Sequence, residues 1–162
     1  MSIKGSKLLK KVNTSKKICL MGIGNFDRAD DAVGIAVIEE LEKAKLNSNV
    51  KLINAGPVPE SFTGVIKREE PDFLIVIDAA QMDEAPGTIK IFSEKNVNSA
   101  YMVTPHKVSM TMYTKYLKNT LKNLTTIFIG IQPFSISYMV EMSPEVKMSI
   151  TILCEYLVEL LR

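Results

Sequence analysis

The chain carries a single histidine, His106, within Val103-Thr104-Pro105-His106-Lys107. Two acidic places stand out beside it. One is the pair Asp30-Asp31, downstream of Gly22-Ile23-Gly24; the other is Asp78, which closes the apolar run Phe73-Leu74-Ile75-Val76-Ile77. Two carboxylates and an imidazole make a donor set for a divalent metal ion. That chemistry exists only if the fold gathers three places far apart in the chain, and each has an ordinary alternative. Unpaired N–H groups at a helix start favour carboxylates, so capping accounts for one or two of Asp27, Asp30 and Asp31. Asp30 reads as the N-cap, and Asp31 as a first-turn acid able to point back to the strand ends. Asp78 must reach solvent, pair or bind a cation; a turn aspartate is the alternative. His106 follows a proline, which steers the preceding backbone away from helix and suits a loop presenting the imidazole. A plain surface histidine is the alternative there. Asp83 and Glu84 read as loop surface.

The elements that must position these residues follow from hydrophobic patterning. Residues 17–23 form a short apolar run that reads as a first buried strand, and Gly24-Asn25 breaks it. From Asp31 to about Lys45, Val33, Val37, Leu41 and Ala44 recur at helical spacing. Val50–Asn54 reads as a second strand and Glu60–Lys67 as a short helix. Asp72–Asp78 is the strongest strand, apolar without alternation, as in strands covered on both faces. Thr88–Phe92 follows a Pro86-Gly87 turn. Ser109–Leu121 resumes a helical stripe, Thr125–Ile131 is a β-branched strand, and Ser143-Pro144 opens a final helix with serine as cap and proline first. Strand–helix alternation predicts an α/β sandwich with a mostly parallel central sheet. Ligands of such sheets bind outside the carboxyl ends of the strands. The loop after the first strand, Asp78 and the loop before the Ser109 helix all fall there.

Composition narrows the function classes. The 162 residues, 46% hydrophobic with a formal charge of +2, suit one domain without a large disordered fraction. Residues 1–16 are basic and unpatterned and read as a flexible arm, leaving 17–162 as the single domain. No reading helix, zinc finger or aromatic-studded basic surface points to nucleic acid. No apolar run reaches the ~20 residues that span a bilayer, and no secretory leader is recognisable. A cytoplasmic protein is expected. The two cysteines, Cys19 and Cys154, fall in apolar settings and read as buried small hydrophobes rather than nucleophiles. Gly22-Ile23-Gly24-Asn25-Phe26-Asp27 starts like a dinucleotide fingerprint but has Asp27 at the third glycine position, where a carboxylate opposes a pyrophosphate. A Ser109–His106–Asp78 triad lacks the strained elbow that would present Ser109, and the ligands are too few for a two-metal aminopeptidase.

Taken in order, Gly22-Ile23-Gly24-Asn25, Asp30-Asp31-Ala32-Val33-Gly34, Ile75-Val76-Ile77-Asp78-Ala79, Thr104-Pro105-His106 and Gly130-Ile131-Gln132-Pro133 resemble the hydrogenase maturation endopeptidases. These proteases remove a C-terminal extension from the large subunit of nickel–iron hydrogenases. The resemblance spans residues 17–162 and is strongest to the formate-hydrogenlyase-type branch. It implies a three-layer α/β sandwich of the phosphorylase/hydrolase-like type, with Asp31, Asp78 and His106 as catalytic and metal-contacting residues. The first of these is glutamate in some relatives. Pro105 stands where the family often has serine or threonine, which removes a loop hydrogen bond but leaves the imidazole. The resemblance further implies nickel carried by the precursor substrate, no organic cofactor, a hydrogenase large-subunit precursor as partner, and a monomer. The competing readings are a nickel-dependent assembly chaperone that does not cut and a nucleotide-binding α/β domain.

Overall fold

Three runs of β-branched and aliphatic residues set the centre of the fold. They are β2 (Ile18–Ile23), β4 (Phe73–Ala79) and β6 (Thr125–Ile131), buried throughout except at Phe73 and Thr125. Strands apolar on both faces need cover on both sides, which parallel sheets with crossover helices provide. The structure, a computed structural model, describes residues 3–97 and 107–162. Its remaining strands are β1 (Ile3–Lys4), β3 (Val50–Gly56) and β5 (Ile89–Ser93), and its α-helices are α1 (Val33–Leu41), α2 (Thr63–Glu69), α3 (Lys107–Thr120) and α4 (Pro144–Leu161). The six strands form one sheet in the order β1-β5-β6-β4-β2-β3. β6, β4, β2 and β3 run parallel, β5 is antiparallel to β6, and β1 is parallel to β5.

Alternation along each strand divides the core into two layers. Ile75 and Ile77 pack with Val37, Leu41, Leu153 and Leu157, from α1 and α4, on one face. Leu74 and Val76 pack with Ile66, Met110 and Leu117, from α2 and α3, on the other. The result is the expected three-layer α/β sandwich. No described helix is long and apolar enough to cross a membrane.

Four local expectations are corrected. The N-terminal segment read as a flexible arm is built into the fold over its described part. Ile3 and Lys4 pair with Ile89 and Lys90, residues 6–11 form a 3₁₀ helix, and Leu9 and Val12 are buried. The cause is apolar residues hidden among the lysines, together with Glu84. Far from being plain loop surface, Glu84 takes ion pairs from Lys4 at 2.8 Å and Lys90 at 2.7 Å. The helix expected from Asp31 to about Lys45 is split and shorter, a 3₁₀ turn at Ala29–Ala32 followed by α1. Asp30 does not cap it. Ser143, by contrast, does cap α4, its hydroxyl accepting from the Val146 N–H at 3.4 Å.

Candidate active site

Asp31 stands in the 3₁₀ turn that feeds α1, pressed against the carboxyl ends of the central strands. The closeness has a sequence cause. A Cβ on Gly34 would strike the carbonyl oxygens of Ile23 and Ile77, and one on Gly24 would strike the Asp31 carbonyl. Only glycine lets backbone approach backbone so closely. The Asn25 N–H donates to the Asp31 carbonyl at 3.3 Å, and the Asp31 N–H to the Arg28 carbonyl at 2.9 Å. Gly24 and Asn25 thus brace the turn that carries Asp31.

The Asp31 side chain is 2% exposed, and its Oδ1 has no hydrogen-bond partner among the described residues. Burial pushes its carboxyl pKa upward, with the nearby Arg28 charge partly opposing. A desolvated carboxylate with an open oxygen is stabilised by a proton or a cation. The site is therefore prepared for one or the other.

Its neighbour Asp30 is also fully buried but is spent on architecture. Its carboxylate accepts from the N–H groups of Phe134 at 2.8 Å, Ser135 at 3.0 Å and Ser143 at 2.7 Å, and from the Ser143 hydroxyl at 3.0 Å. Asp30 thus clamps the segment between β6 and α4. Ala29, just before it, holds the left-handed region at φ 44°, a conformation that non-glycine residues adopt only when their surroundings impose it.

Asp78 lies at the carboxyl end of β4, paired in register with Gly130, and is fully buried. Its Oδ1 accepts from the Ala79 N–H at 2.8 Å. Alternation puts it on the α2/α3 face with Leu74 and Val76. The 3₁₀ turn carrying Asp31 contacts this same strand, so the fold brings two of the three sequence candidates to one edge. The third, His106, lies outside the described residues. α3 begins at the next residue and ends where β6 starts, so it runs opposite to the strands, with its first turn toward their carboxyl ends. Among the described residues no three His, Cys, Asp or Glu side chains are grouped to hold a metal ion. The two acids by themselves do not complete one.

Gln132 is the second residue whose job the sequence does not reveal. It is buried, and its Oε1 accepts from the Met82 N–H at 2.7 Å and the Glu84 N–H at 3.4 Å. Its Nε2 donates to Gln81 Oε1 at 3.1 Å and to the Pro133 carbonyl at 3.2 Å. The Gly130–Pro133 turn ties the exit of β4 to the exit of β6. The cysteines take no part. Both are buried and unpaired, and burial pushes each thiol up to about 12.

The sequence model of the family described as HycI, hydrogenase maturation protease, matches residues 35–160. The chain belongs to the hydrogenase maturation protease family. The protease is 39% identical over 161 residues to a putative hydrogenase maturation protease of Methanocaldococcus jannaschii, covering 95% of this chain and 94% of the relative. It is 28% identical over 128 residues to the hydrogenase 3 maturation protease of Escherichia coli K12, covering 79% and 80%. The crystal structure of a NiFe hydrogenase maturation protease HycI from Thermococcus kodakarensis superposes with a TM-score of 0.83 at 30% identity, covering 94% of this chain and 97% of that one. The fold and the family expected from the motifs both hold, and the protease is a peptide hydrolase of hydrogenase maturation.

Proposed function

We propose that the protein is a nickel-dependent endopeptidase that removes the C-terminal extension from the nickel-loaded precursor of a nickel–iron hydrogenase large subunit, of the formate-hydrogenlyase type. The observation that carries this reading is Asp31, a buried carboxylate with one oxygen that has no partner among the described residues, at the sheet edge where Asp78 lies. Within a family of hydrogenase maturation proteases, the cation that answers such a group is the one its substrate brings. Nickel belongs here to the precursor, and the enzyme acts as a monomer without an organic cofactor.

In this scheme Asp31 and Asp78 offer oxygens, and His106 a nitrogen, to the precursor's nickel. Carboxylate and imidazole donors suit a divalent ion of that kind. An open and incomplete site serves better than a closed one, because resident metal would blind it to the state of the precursor. The bound ion polarises the scissile carbonyl or lowers the pKa of the attacking water. A carboxylate that is not coordinating accepts the water proton and returns it to the leaving amine.

The test is incubation of the purified protein with metal-free and nickel-loaded large-subunit precursor, followed by mass measurement. Loss of a defined C-terminal peptide from the nickel-loaded form alone is the expected result. Cleavage of both forms would remove the nickel dependence. Binding of the nickel-loaded form with no mass change would make the protein a chaperone.

A further inference from the structure

Among the described residues, large apolar side chains in solvent are unevenly distributed. Of nine such residues, five (Phe26, Phe134, Tyr138, Met139 and Val140) lie in two short segments, and each is more than half exposed. These segments are fastened together. The Met139 N–H donates to the Asp27 carbonyl at 2.8 Å, the Asp30 N–H donates to the Ser135 carbonyl at 3.0 Å, and the Arg28 guanidinium lies over the Tyr138 ring at 5.1 Å. The Arg28 Nε also donates to the Ile136 carbonyl at 3.3 Å. Together they form one apolar apron beside the turn that carries Asp31.

Its construction argues against idle surface. Contiguous exposed apolar patches on soluble proteins mark interaction sites. The Asp30 carboxylate, fully buried, commits its hydrogen bonds to holding this loop. Met139, 85% exposed, sits in the left-handed region at φ 56°, a strain that the fold sustains while the side chain faces water. The apron is therefore fixed in position relative to Asp31, one residue along from its clamp.

We propose that this apron docks the folded body of the protein substrate and sets its scissile segment at Asp31. The inference rests on the proposed endopeptidase function. A protein is favoured over a lipid surface because the charges beside the apron are of both signs, with Asp27 and Arg28 bonded into it and Glu141 paired with Lys147 at 3.7 Å, whereas membrane-binding faces are rich in Lys and Arg. Exposed Phe, Tyr and Met are the residue types enriched at the cores of protein interfaces. A short peptide would need the acids at the sheet edge alone. A rigid apolar surface beside the Asp31 turn gauges a folded partner.

The test is the double variant Phe134→Ser/Met139→Asn, with asparagine chosen because it tolerates the left-handed region. Binding of nickel-loaded large-subunit precursor is measured by calorimetry, and its processing by mass, for the wild type and the variant. The proposal expects an unchanged melting temperature, precursor affinity weakened at least tenfold, and a processing loss that lies in KM rather than kcat. Equal affinity for the two proteins would overturn the apron and leave the protease reading standing. Tight binding by the wild type without cleavage would overturn the protease reading, and the affinity comparison would still decide the apron. Failure of the wild type to bind would overturn both. Sedimentation of each protein alone completes the test: a wild-type dimer that the variant dissolves would give the apron to a second copy instead.

Discussion

Two adjacent aspartates, equally buried, should respond to truncation with opposite signs. Asp31→Ala removes an oxygen that has no partner among the described residues, and an unsatisfied buried group costs about 1–3 kcal/mol. Against this, an acid in a first helical turn contributes about 0.3–1 kcal/mol through the helix dipole. The net expectation is a gain of about 1–2 kcal/mol, or roughly 2–8 °C in Tm for a chain of this size. Asp30→Ala instead strands three N–H groups, those of Phe134, Ser135 and Ser143. Bonds to a charged acceptor are worth about 1.5–3 kcal/mol each, and the loop donors recover some water, so a loss of about 3–5 kcal/mol is expected. Urea titration followed by far-UV circular dichroism measures both, provided the m-values match the wild type. The pH dependence adds a second check. Because burial raises the Asp31 pKa, the folded wild type holds that proton more tightly than the unfolded chain does. The penalty is absent below the ordinary carboxylate value and grows as pH rises through the elevated one. The advantage of Asp31→Ala should be largest at neutral pH and fade toward about pH 4. Processing should be lost in the stabilised variant. An Asp31→Ala protein destabilised by more than about 1 kcal/mol, or a neutral Asp30→Ala, would refute the division of labour between the two acids.

Other outcomes can be checked separately. His106→Ala should abolish precursor processing while leaving the melting curve unchanged; near-normal cleavage by the folded variant would take the imidazole out of the reaction. Gly34→Ala would drive a methyl group into the Ile23 and Ile77 carbonyls, so it should destabilise by about 1–3 kcal/mol, as overpacking does, and weaken processing by displacing the Asp31 turn. Glu84 is held down at about 2 by hydrogen bonds from Lys4 and Lys90. Its contribution is complete above the ordinary carboxylate value and disappears as pH falls through about 2, so hydrogen exchange in residues 3–12 should accelerate selectively in strong acid and in Glu84→Gln. Cys19 and Cys154, buried with thiols raised to about 12, should resist alkylation in the native protein at neutral pH, and processing should survive the reagent.

The central strands, and the place of Asp31 and Asp78 at the sheet edge, were legible because their signals are local. An unbroken apolar run such as Phe73–Ile77, short and β-branched-rich, reads as a strand covered on both faces, and the residue ending it falls at the sheet edge where ligands bind. Ser143-Pro144 announces a helix start in two residues. Asp30 was misread as a cap because its true partners are 104 to 113 residues away, in a coil segment with no period to mark it. Gln132 was opaque for the same reason: its bonds reach the loop after β4, 50 residues back. The N-terminal segment misled because charge dominates its composition, while its placement depends on Leu9, Val12 and an acid 80 positions away. The antiparallel turn of β5 depends on which neighbour it meets, a property of the assembled sheet rather than of Thr88–Phe92.

The strand order also bears on how the molecule comes off the ribosome. Among the described strands β6 comes last in the chain, yet it sits between β4 and β5, and β1 pairs with β5 at the sheet edge. The β1–β5 pair therefore joins the rest of the sheet only through β6. β1 and β5 can pair with each other as soon as β5 is made, and β2, β3 and β4 can assemble, but until residue 131 has emerged nothing in the sheet joins the two parts. A nascent chain stalled short of β6 presents the β4 edge, an unbroken aliphatic strand, to any other chain nearby. The Asp30 clamp closes later still, when Ser143 arrives. A protease built this way cannot set its Asp30 clamp before Ser143 has been synthesised.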